Sequence, residues 1–382
     1  MRYTIGQLAE IIDGDRGKNY PKQDEFYPQG YCLFLNTGNV TKEGLIFEEN
    51  QFITKEKDEA LRKGKLKRGD IVYTTRGTVG NAGYYNSNVP YENVRINSGM
   101  VILRANGEIV DARFLYQILK SEYYRPYFKQ YCTGSAQPQL PIKNFSQIYL
   151  NVPDIKTQHR IADILSAYDD LIENNQKQIK LLEEVAQRLY KEWFVDLNFP
   201  GHENTKIVDG VPEGWSRGLL QELIDVNYGK DHKKAPDDGN IPVYGSGGLM
   251  RKCNKSLFSG EAVLIPRKGS LNNIMYVDET FWTVDTMFYA TMKQPHTAVF
   301  VYFFVKAFDM YSMNIGAAVP SMTTKILDAM DVVIPDKETL EKFDKRAKVY
   351  FNKIKTLQGQ NERLKTARDL LLPKLMSGEV EV

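Results

Sequence analysis

The sequence predicts an α+β protein built from two globules of mixed strand and helix, each followed by one long helix. Three observations predict this class: an internal repeat, short strand-like runs broken by turn residues, and two segments with heptad spacing of apolar residues. The chain has 382 residues, which is enough for two or three compact domains that each bury a core.

The repeat pairs positions of the two halves at a constant offset of 182 residues, without a gap. The matched pairs include Gly134 and Gly316, Ala136 and Ala318, Pro138 and Pro320, Lys143 and Lys325, Asp154 and Asp336, and Ile172 and Ile354. A looser similarity opens each half, at Tyr3 to Asp13 and Trp215 to Asp225. The intervening stretches 20–130 and 230–312 differ widely, so the repeat predicts a pseudo-two-fold chain with two unlike globules.

Each globule contains short runs rich in Val, Ile, Tyr and Phe, punctuated by Gly, Asn and Pro. Residues 70–73 and 262–265 are examples of such predicted strands. Apolar residues recur at spacings of three and four in residues 6–12, 112–120 and 296–308, and this recurrence predicts brief helices there.

The two long segments carry the clearest pattern, with apolar positions alternating in steps of four and three as a coiled-coil seam requires. The first seam consists of Ile161, Leu165, Tyr168, Ile172, Asn175, Ile179, Leu182, Ala186, Leu189 and Trp193, and the second of Phe343, Ala347, Tyr350, Ile354, Leu357, Asn361, Leu364, Arg368, Leu371 and Leu375. Each seam would extend roughly 50 Å at about 1.5 Å per residue. We expect an antiparallel pair, although two separate amphipathic helices packed on their own globules remain an alternative.

Each seam contains one asparagine. If the ends of the two seams are aligned symmetrically and antiparallel, Asn175 faces Asn361. Two side-chain amides in one layer can satisfy each other and penalise slipped registers. The alignment therefore predicts an amide pair near the middle of the helices that fixes the coiled-coil register.

The composition excludes several classes of function. Cys32, Cys132 and Cys253 are odd in number and far apart, so we expect reduced thiols, and no metal-ligand spacing involves them or the four histidines. We expect no metal, no cofactor, no signal peptide and no membrane span, hence a cytoplasmic protein. Net charge is uneven: 20 basic against 16 acidic residues in 1–150, but 13 against 17 in 196–336. The totals alone do not indicate a nucleic-acid binder.

No motif of an enzyme is recognisable. The chain lacks the Asn/Asp-Pro-Pro-Tyr/Phe loop of amino-methyltransferases, a dinucleotide-binding glycine pattern and a phosphate-binding loop. Asp154 and Asp336 precede lysines, but a metal-dependent nuclease would need further acidic ligands that we do not find. We therefore expect a non-catalytic protein.

Several phrases of the sequence strongly resemble the specificity subunits of Type I restriction-modification systems. They are residues 189–196 (LYKEWFVD), 199–201 (FPG), 211–215 (VPEGW), 153–162 (PDIKTQHRIA), 169–175 (DDLIENN) and 371–378 (LLPKLMSG). The resemblance covers the whole chain. It implies a target-recognition domain in 1–150, a spacer helix in 151–195, a second target-recognition domain in 196–336 and a second spacer helix in 337–382.

The same resemblance implies the partners. They are double-stranded DNA with a bipartite site, two methyltransferase (modification) subunits that methylate adenine, and restriction subunits that join this core. Two unlike recognition domains imply two different half-sequences. A coiled-coil scaffold that holds only proteins remains the competing function, and sequence-specific DNA affinity would separate the two.

Two pairs of matched polar loops are the candidate DNA contacts. In the first pair, glycines let the backbone approach DNA while basic and amide side chains can reach phosphates and base edges. The candidates there are Arg76, Thr78, Asn81, Arg267, Lys268, Ser270, Asn272 and Asn273. The second pair, residues 133–143 and 315–325, offers Gln137, Gln139, Lys143 and Lys325. Ordinary hairpin turns, and structural caps over the edge of each globule, are the alternative interpretations.

Overall fold

A computed structural model describes residues 1–134, 137–313 and 321–381. The repeat positions Ala136, Gly316, Ala318 and Pro320 lie outside them. The chain divides into two compact units: unit 1 comprises Met1–Asn175 and Gly359–Val382, and unit 2 comprises Gln176–Gln358. Both boundaries fall inside the long helices, whereas the four segments predicted from the sequence keep each helix whole.

The helices are α1 (Ile5–Leu8), α2 (Lys55–Ala60), α3 (Ala112–Lys120), α4 (Arg125–Lys129), α5 (Ile142–Ser146), α6 (Ile155–Phe194), α7 (Ala298–Lys306), α8 (Thr324–Asp328) and α9 (Lys337–Ser377). The strands of unit 1 are β1 (Arg2–Thr4), β2 (Ala9–Asp13), β3 (Cys32–Leu35), β4 (Val40–Thr41), β5 (Gly44–Leu45), β6 (Phe52–Ile53), β7 (Ile71–Thr74), β8 (Ala82–Tyr84), β9 (Val94–Ile96), β10 (Met100–Ala105) and β11 (Tyr149–Asn151). Those of unit 2 are β12 (Ile207–Val208), β13 (Val211–Pro212), β14 (Ser216–Leu219), β15 (Ile224–Tyr228), β16 (Ile241–Gly245), β17 (Gly248–Cys253), β18 (Phe258–Pro266), β19 (Met275–Thr283), β20 (Met287–Met292) and β21 (Asp331–Ile334). The mixed helix and strand content agrees with the predicted α+β class.

Unit 1 has a four-stranded antiparallel sheet in the order β2-β10-β7-β8, a three-stranded sheet β6-β3-β9, and the pairs β1-β11 and β4-β5. Unit 2 has a six-stranded sheet in the order β15-β20-β18-β19-β16-β17, and the pairs β14-β21 and β12-β13. The order β2-β10-β7 in unit 1 therefore corresponds to β15-β20-β18 in unit 2. The nine-residue helices α3 and α7 also occupy corresponding places, each after the strand that lies in the middle of this trio.

The first predicted short helix is wrong in its second half. The helix over residues 6–12 ends at Leu8 as α1, and Ala9–Asp13 forms β2. Five residues of β2 pair with β10, from Ala9 opposite Ala105 to Asp13 opposite Val101. The sheet hydrogen bonds available at this edge outweigh a helical apolar spacing that extends over only two turns.

The long helices α6 and α9 contain 40 and 41 residues. No seam position predicted from the heptad pattern is exposed. In unit 1, Ile161 and Leu165 of α6 join one hydrophobic cluster with Leu372 and Leu375 of α9. In unit 2, a larger cluster includes side chains from α6, α9 and the globule, namely Ala186, Tyr190, Trp193, Leu340, Phe343, Ala347, Phe300 and Phe303.

Trp193 belongs to the core rather than to an exposed patch, because only 2% of its surface is accessible. Its ring lies 5.8 Å from that of Phe343, and Phe194 packs at 4.8 Å against Phe300. Burial of such aromatic side chains removes about 150–250 Å² each from water. The aromatic phrase at the end of α6 therefore fixes this helix to the globule of unit 2.

Buried and partly buried polar groups fix α6 and α9 to the globule of unit 1. Asp169 of α6 accepts hydrogen bonds from Gln117 and Lys120 of α3, both at 2.6 Å, and from Arg368 of α9 at 2.7 Å. Gln158 is 1% exposed, and its amide bridges the carbonyls of Ile109 and Pro153. Burial lowers the pKa of Lys120 to about 8, although Asp169 opposes this shift.

Residues 55–68 (KEKDEALRKGKLKR) are mostly charged, yet this run is only partly exposed. Only Lys55–Ala60 is helical, and Asp58 is buried between Arg95 and Lys65, at 2.5 Å from a nitrogen of each. Burial alone would raise the pKa of Asp58, but the hydrogen bonds from Lys65 and Arg95 outweigh it and lower the pKa. Within the described residues, no helix is both long and apolar enough to cross a membrane.

Candidate nucleic-acid interface

The first candidate loop of unit 1 begins where β7 ends. The backbone N–H groups of Thr75 and Arg76 both donate to the carbonyl of Gly99, at 2.9 and 3.1 Å. Gly77 follows with φ +69°, a left-handed conformation that glycine adopts without strain. The turn leaves Arg76 and Thr78 exposed at the tip of the loop.

The second candidate loop of unit 1 lies directly against the first. Gln139 exchanges two backbone hydrogen bonds with Thr133, at 2.8 and 2.9 Å, and the N–H of Leu140 donates to Thr75 O at 2.9 Å. An isolated β-bridge pairs Arg76 with Gln139. The two loops predicted separately from the sequence therefore form one exposed surface. It carries Arg76, Thr78, Gln137 and Gln139, and Lys143 is exposed on α5 immediately after it.

Unit 2 repeats this arrangement with other side chains. The N–H groups of Arg267 and Lys268 donate to Thr286 O at 2.8 and 3.2 Å, and the N–H of Met322 donates to Arg267 O at 2.9 Å. Lys268 forms an isolated β-bridge with Ser321, and Gly269 has φ +84°. Lys268 and Ser270 are exposed, as is Lys325 on α8. Residues 315–320 of the second loop lie outside the described residues.

Three candidate amides have partners within the protein. Asn81 is 8% exposed, donates to Val40 O at 2.9 Å and lies 3.4 Å from Arg125. Asn272 donates to the carboxylate of Asp309 at 3.0 Å and accepts from the N–H of Met310. Asn273 donates to Ser246 O at 2.8 Å. These contacts hold the loops in shape, and Asn81 does not lie on the exposed surface.

Two aromatic residues that the sequence did not indicate flank the loop of unit 2. The guanidinium of Arg267 lies 5.5 Å from the ring centre of Tyr228, and the hydroxyl of Tyr311 donates to Gly269 O at 3.1 Å. Ser246 lies in a glycine-rich segment at 244–248 (YGSGG) and is close to Gly269, where an added Cβ would approach the Ser246 hydroxyl to 2.6 Å. Tyr228 is the last residue of β15 and precedes Arg267 by 39 residues, so this contact cannot be predicted from a local sequence motif.

The remaining carboxylates considered for metal chemistry have structural roles. Asp154 accepts from the N–H and the hydroxyl of Thr157, and Asp336 accepts in the same way from Thr339. Both therefore cap the first turn of a long helix, an arrangement typical of aspartate at this position. Among residues 1–134, 137–313 and 321–381, no three side chains of His, Cys, Asp or Glu cluster as metal ligands.

The two seam asparagines meet within unit 1. The side-chain N–H of Asn175 donates to Oδ1 of Asn361 at 2.8 Å, and the two residues are 8% and 5% exposed. Each amide is thereby given a partner in an environment from which water is largely removed.

Each of the two α+β units thus carries an exposed polar loop surface. The two surfaces share one backbone arrangement and differ in their side chains, and long helices accompany both units. The family model described as the Type I restriction modification DNA specificity domain matches residues 1–184 and 212–366. The chain therefore belongs to this family, which confirms the resemblance seen in the sequence.

Individual relatives agree with the family. The chain is similar to the Type I restriction enzyme HindI specificity subunit of Haemophilus influenzae, with 24% identity over 98% of this chain and 100% of that protein. It is also similar to the MjaIX specificity subunit of Methanocaldococcus jannaschii, with 25% identity over 85% and 81% of the two chains. The fold resembles the crystal structure of the S subunit from M. genitalium, with a TM-score of 0.57, 18% identity, and 98% and 95% coverage.

Proposed function

We propose that this chain is the DNA-recognition subunit of a Type I restriction-modification complex and reads a bipartite site with two different half-sequences. Each unit supplies one reading surface, formed by the paired loops. The domain boundaries follow from the resemblance: recognition domains in 1–150 and 196–336, and spacer helices in 151–195 and 337–382.

The observation that carries this proposal is the recurrence of one backbone arrangement with different side chains. Leu140 bonds to Thr75 in unit 1 as Met322 bonds to Arg267 in unit 2, at 2.9 Å in both. Each arrangement presents a basic side chain beside a left-handed glycine, Arg76 in one unit and Lys268 in the other. Where glycine lets the backbone come close to DNA, exposed basic and polar side chains beside it are suited to contact phosphates and to read base edges.

We further propose that α6 and α9 form an antiparallel coiled coil that acts as a ruler between the two half-sites. Within unit 1 Asn175 meets Asn361, and within unit 2 Trp193 meets Phe343. The residue numbers of both pairs add up to 536, which is what one antiparallel register along both helices requires. In this proposal the amide pair penalises alternative registers.

The chemistry is assigned to partner subunits. Two methyltransferase subunits would flip an adenine out of the duplex and methylate it, at a cost of a few kcal/mol of unstacking that recognition by both surfaces offsets. Restriction subunits would join this core, and the complex would act in the cytoplasm. Exposed apolar side chains on the long helices support docking of protein partners there: Leu171, Leu181, Val185, Val349 and Leu370.

The ruler is tested by lengthening both helices by seven residues, after Asn175 and before Asn361, so that the amide pair is kept. Seven residues add about 10 Å to a helix, equal to roughly three base pairs of duplex. The expected result is a methylated site whose half-sequences are unchanged and whose spacer is longer by about three base pairs. The readout is methylation of a DNA library by the complex with its methyltransferase subunit.

Insertion of seven residues between Asp237 and Asp238, which are exposed in a loop of unit 2, is the matched control and leaves the spacer unchanged. An unchanged spacer after the helix insertions would contradict the ruler. Methylation or binding without any sequence preference would contradict DNA reading itself and favour a scaffold that holds only proteins.

A further inference from the structure

The two loop surfaces differ at one structurally equivalent position. Thr75 and Arg267 occupy equivalent places. Each donates its N–H to the carbonyl of the residue that precedes the neighbouring sheet strand, Gly99 before β10 or Thr286 before β20. The carbonyl of each also accepts a hydrogen bond from a backbone N–H of the second loop. The side chain of Thr75 is 4% exposed and donates to Gly99 O at 3.1 Å. Unit 1 therefore presents no functional group at this place, while unit 2 presents a guanidinium.

The guanidinium of Arg267 lies over an aromatic ring and is not neutralised by a carboxylate of the described residues. It lies over the ring of Tyr228, and that ring packs edge-on against the buried ring of Phe288 at 5.1 Å. Among the described residues, its one polar contact is long, 3.4 Å to Asp285 O. Within the described residues Arg267 forms no ion pair with a carboxylate, and 314–320 contain no acidic residue.

We infer that Arg267 reads a guanine in the half-site recognised by unit 2, and that Tyr228 is the positioning residue that holds the guanidinium. This inference rests on the proposed function. Guanine presents two acceptors, N7 and O6, in the major groove, and the planar fork of arginine matches them in a bidentate pair. Stacking on tyrosine restricts the arginine before DNA binds, so less side-chain entropy is lost on binding.

The inference also predicts an asymmetry between the half-sites. Thr75 is buried and engaged with the backbone, so the equivalent position of unit 1 reads no base through this residue. Lys268, one residue further, is exposed and lacks the fork of arginine, which suits a phosphate contact. The arginine at this place therefore belongs to the specificity of one half-site only.

The test is methylation of a library randomised across both half-sites, by the full complex of this chain with its methyltransferase subunit. For the natural chain, one position of the unit 2 half-site should require guanine. Arg267→Ala, and Arg267→Lys, which keeps the charge but loses the fork, should reduce discrimination at that position alone by about 10- to 100-fold. Tyr228→Phe, which keeps the ring, should preserve it, whereas Tyr228→Leu should lose part of it.

Lys268→Ala is the matched control, since it should weaken methylation of all sequences alike and lower the salt dependence of binding by about one phosphate contact. If Arg267→Ala gives this uniform loss instead, Arg267 binds phosphate and the inference is wrong. It is also wrong if the position affected by Arg267→Lys is not a guanine. If the natural complex shows no preference anywhere in that half-site, the proposed function fails, and this inference with it.

Discussion

Replacing one asparagine of the buried amide pair should destabilise the protein more than replacing both. In Asn175→Leu the amide of Asn361 loses its 2.8 Å partner in a position that is 5% exposed. A buried polar group left without a partner costs about 1–3 kcal/mol of the free energy of unfolding. Asn361→Leu should cost a similar amount, because the amide that remains is then that of Asn175, which is 8% exposed.

The double variant leaves no amide in this layer and adds apolar surface to the helix contact. Its free energy of unfolding should therefore exceed that of either single variant, with a coupling energy of about 2 kcal/mol or more. The measurement is urea unfolding followed by far-ultraviolet circular dichroism, at constant m-value, for the four chains of the double-mutant cycle.

Asn174→Leu supplies a matched control, since it makes the same substitution at the neighbouring exposed position. Surface substitutions of this kind usually change the free energy of unfolding by no more than about 0.5 kcal/mol. Additive effects of Asn175→Leu and Asn361→Leu, or an equal loss in Asn174→Leu, would refute the reasoning that the two amides depend on each other.

The buried charged groups lead to further predictions. Asp169→Ala should lower the free energy of unfolding by about 3 kcal/mol, because it leaves the buried charge of Lys120 without its carboxylate partner, whereas Arg368 keeps Asp369. Burial lowers the pKa of Lys120 to about 8, below its unfolded value of 10.5, so the unfolded state binds more protons than the folded state between these pH values. The free energy of unfolding should therefore rise with pH in this window. Lys120→Met should abolish that rise, which unfolding curves recorded at several pH values measure. Asp58→Asn should cost about 3–5 kcal/mol by removing the partner of buried Arg95. The pKa of Asp58 is lowered, so its contribution to the free energy of unfolding is present above pH 3.8 and is lost as the pH falls through the folded-state pKa. Acid unfolding of the natural protein and of Asp58→Asn measures this loss.

The long helices could be predicted from the sequence because their pattern is local and long. Heptad spacing over 33 residues constrains every turn, and all the predicted seam positions avoid full exposure. The same reasoning was wrong at Ala9–Asp13, where the apolar spacing is short and a partner strand 92 residues away in sequence decides the conformation. Periodicity therefore predicts an element only where it extends far enough to outweigh non-local pairing.

The candidate contacts could be predicted as loops but not as individual side chains. Composition marked residues 76–81 as polar, yet the burial of Asn81 depends on Val40, which lies 41 residues away along the chain. The position of Arg267 on Tyr228 likewise depends on the pairing of β15 with β20 and of β20 with β18. Which polar side chains of a loop face inward is thus decided by sheet order, and the sequence pattern does not specify that order.

In the loop surfaces, the atoms that fix the backbone at Thr75 and Arg267 differ from the side chains that project into solvent. In both units backbone hydrogen bonds fix the loop at this place: two N–H groups donate to one carbonyl, and a third bond joins the two loops. The side-chain amides of Asn81, Asn272 and Asn273 support the loops at other positions. Because the three bonds at this place join only backbone atoms, threonine and arginine can occupy equivalent places with the same backbone geometry, as Thr75 and Arg267 do. Under the proposed function, substitution of the side chains that project from the loop can therefore change the bases that are read while the backbone stays in place. Two different half-sequences, read by one repeated backbone arrangement, are the consequence that the proposed function predicts.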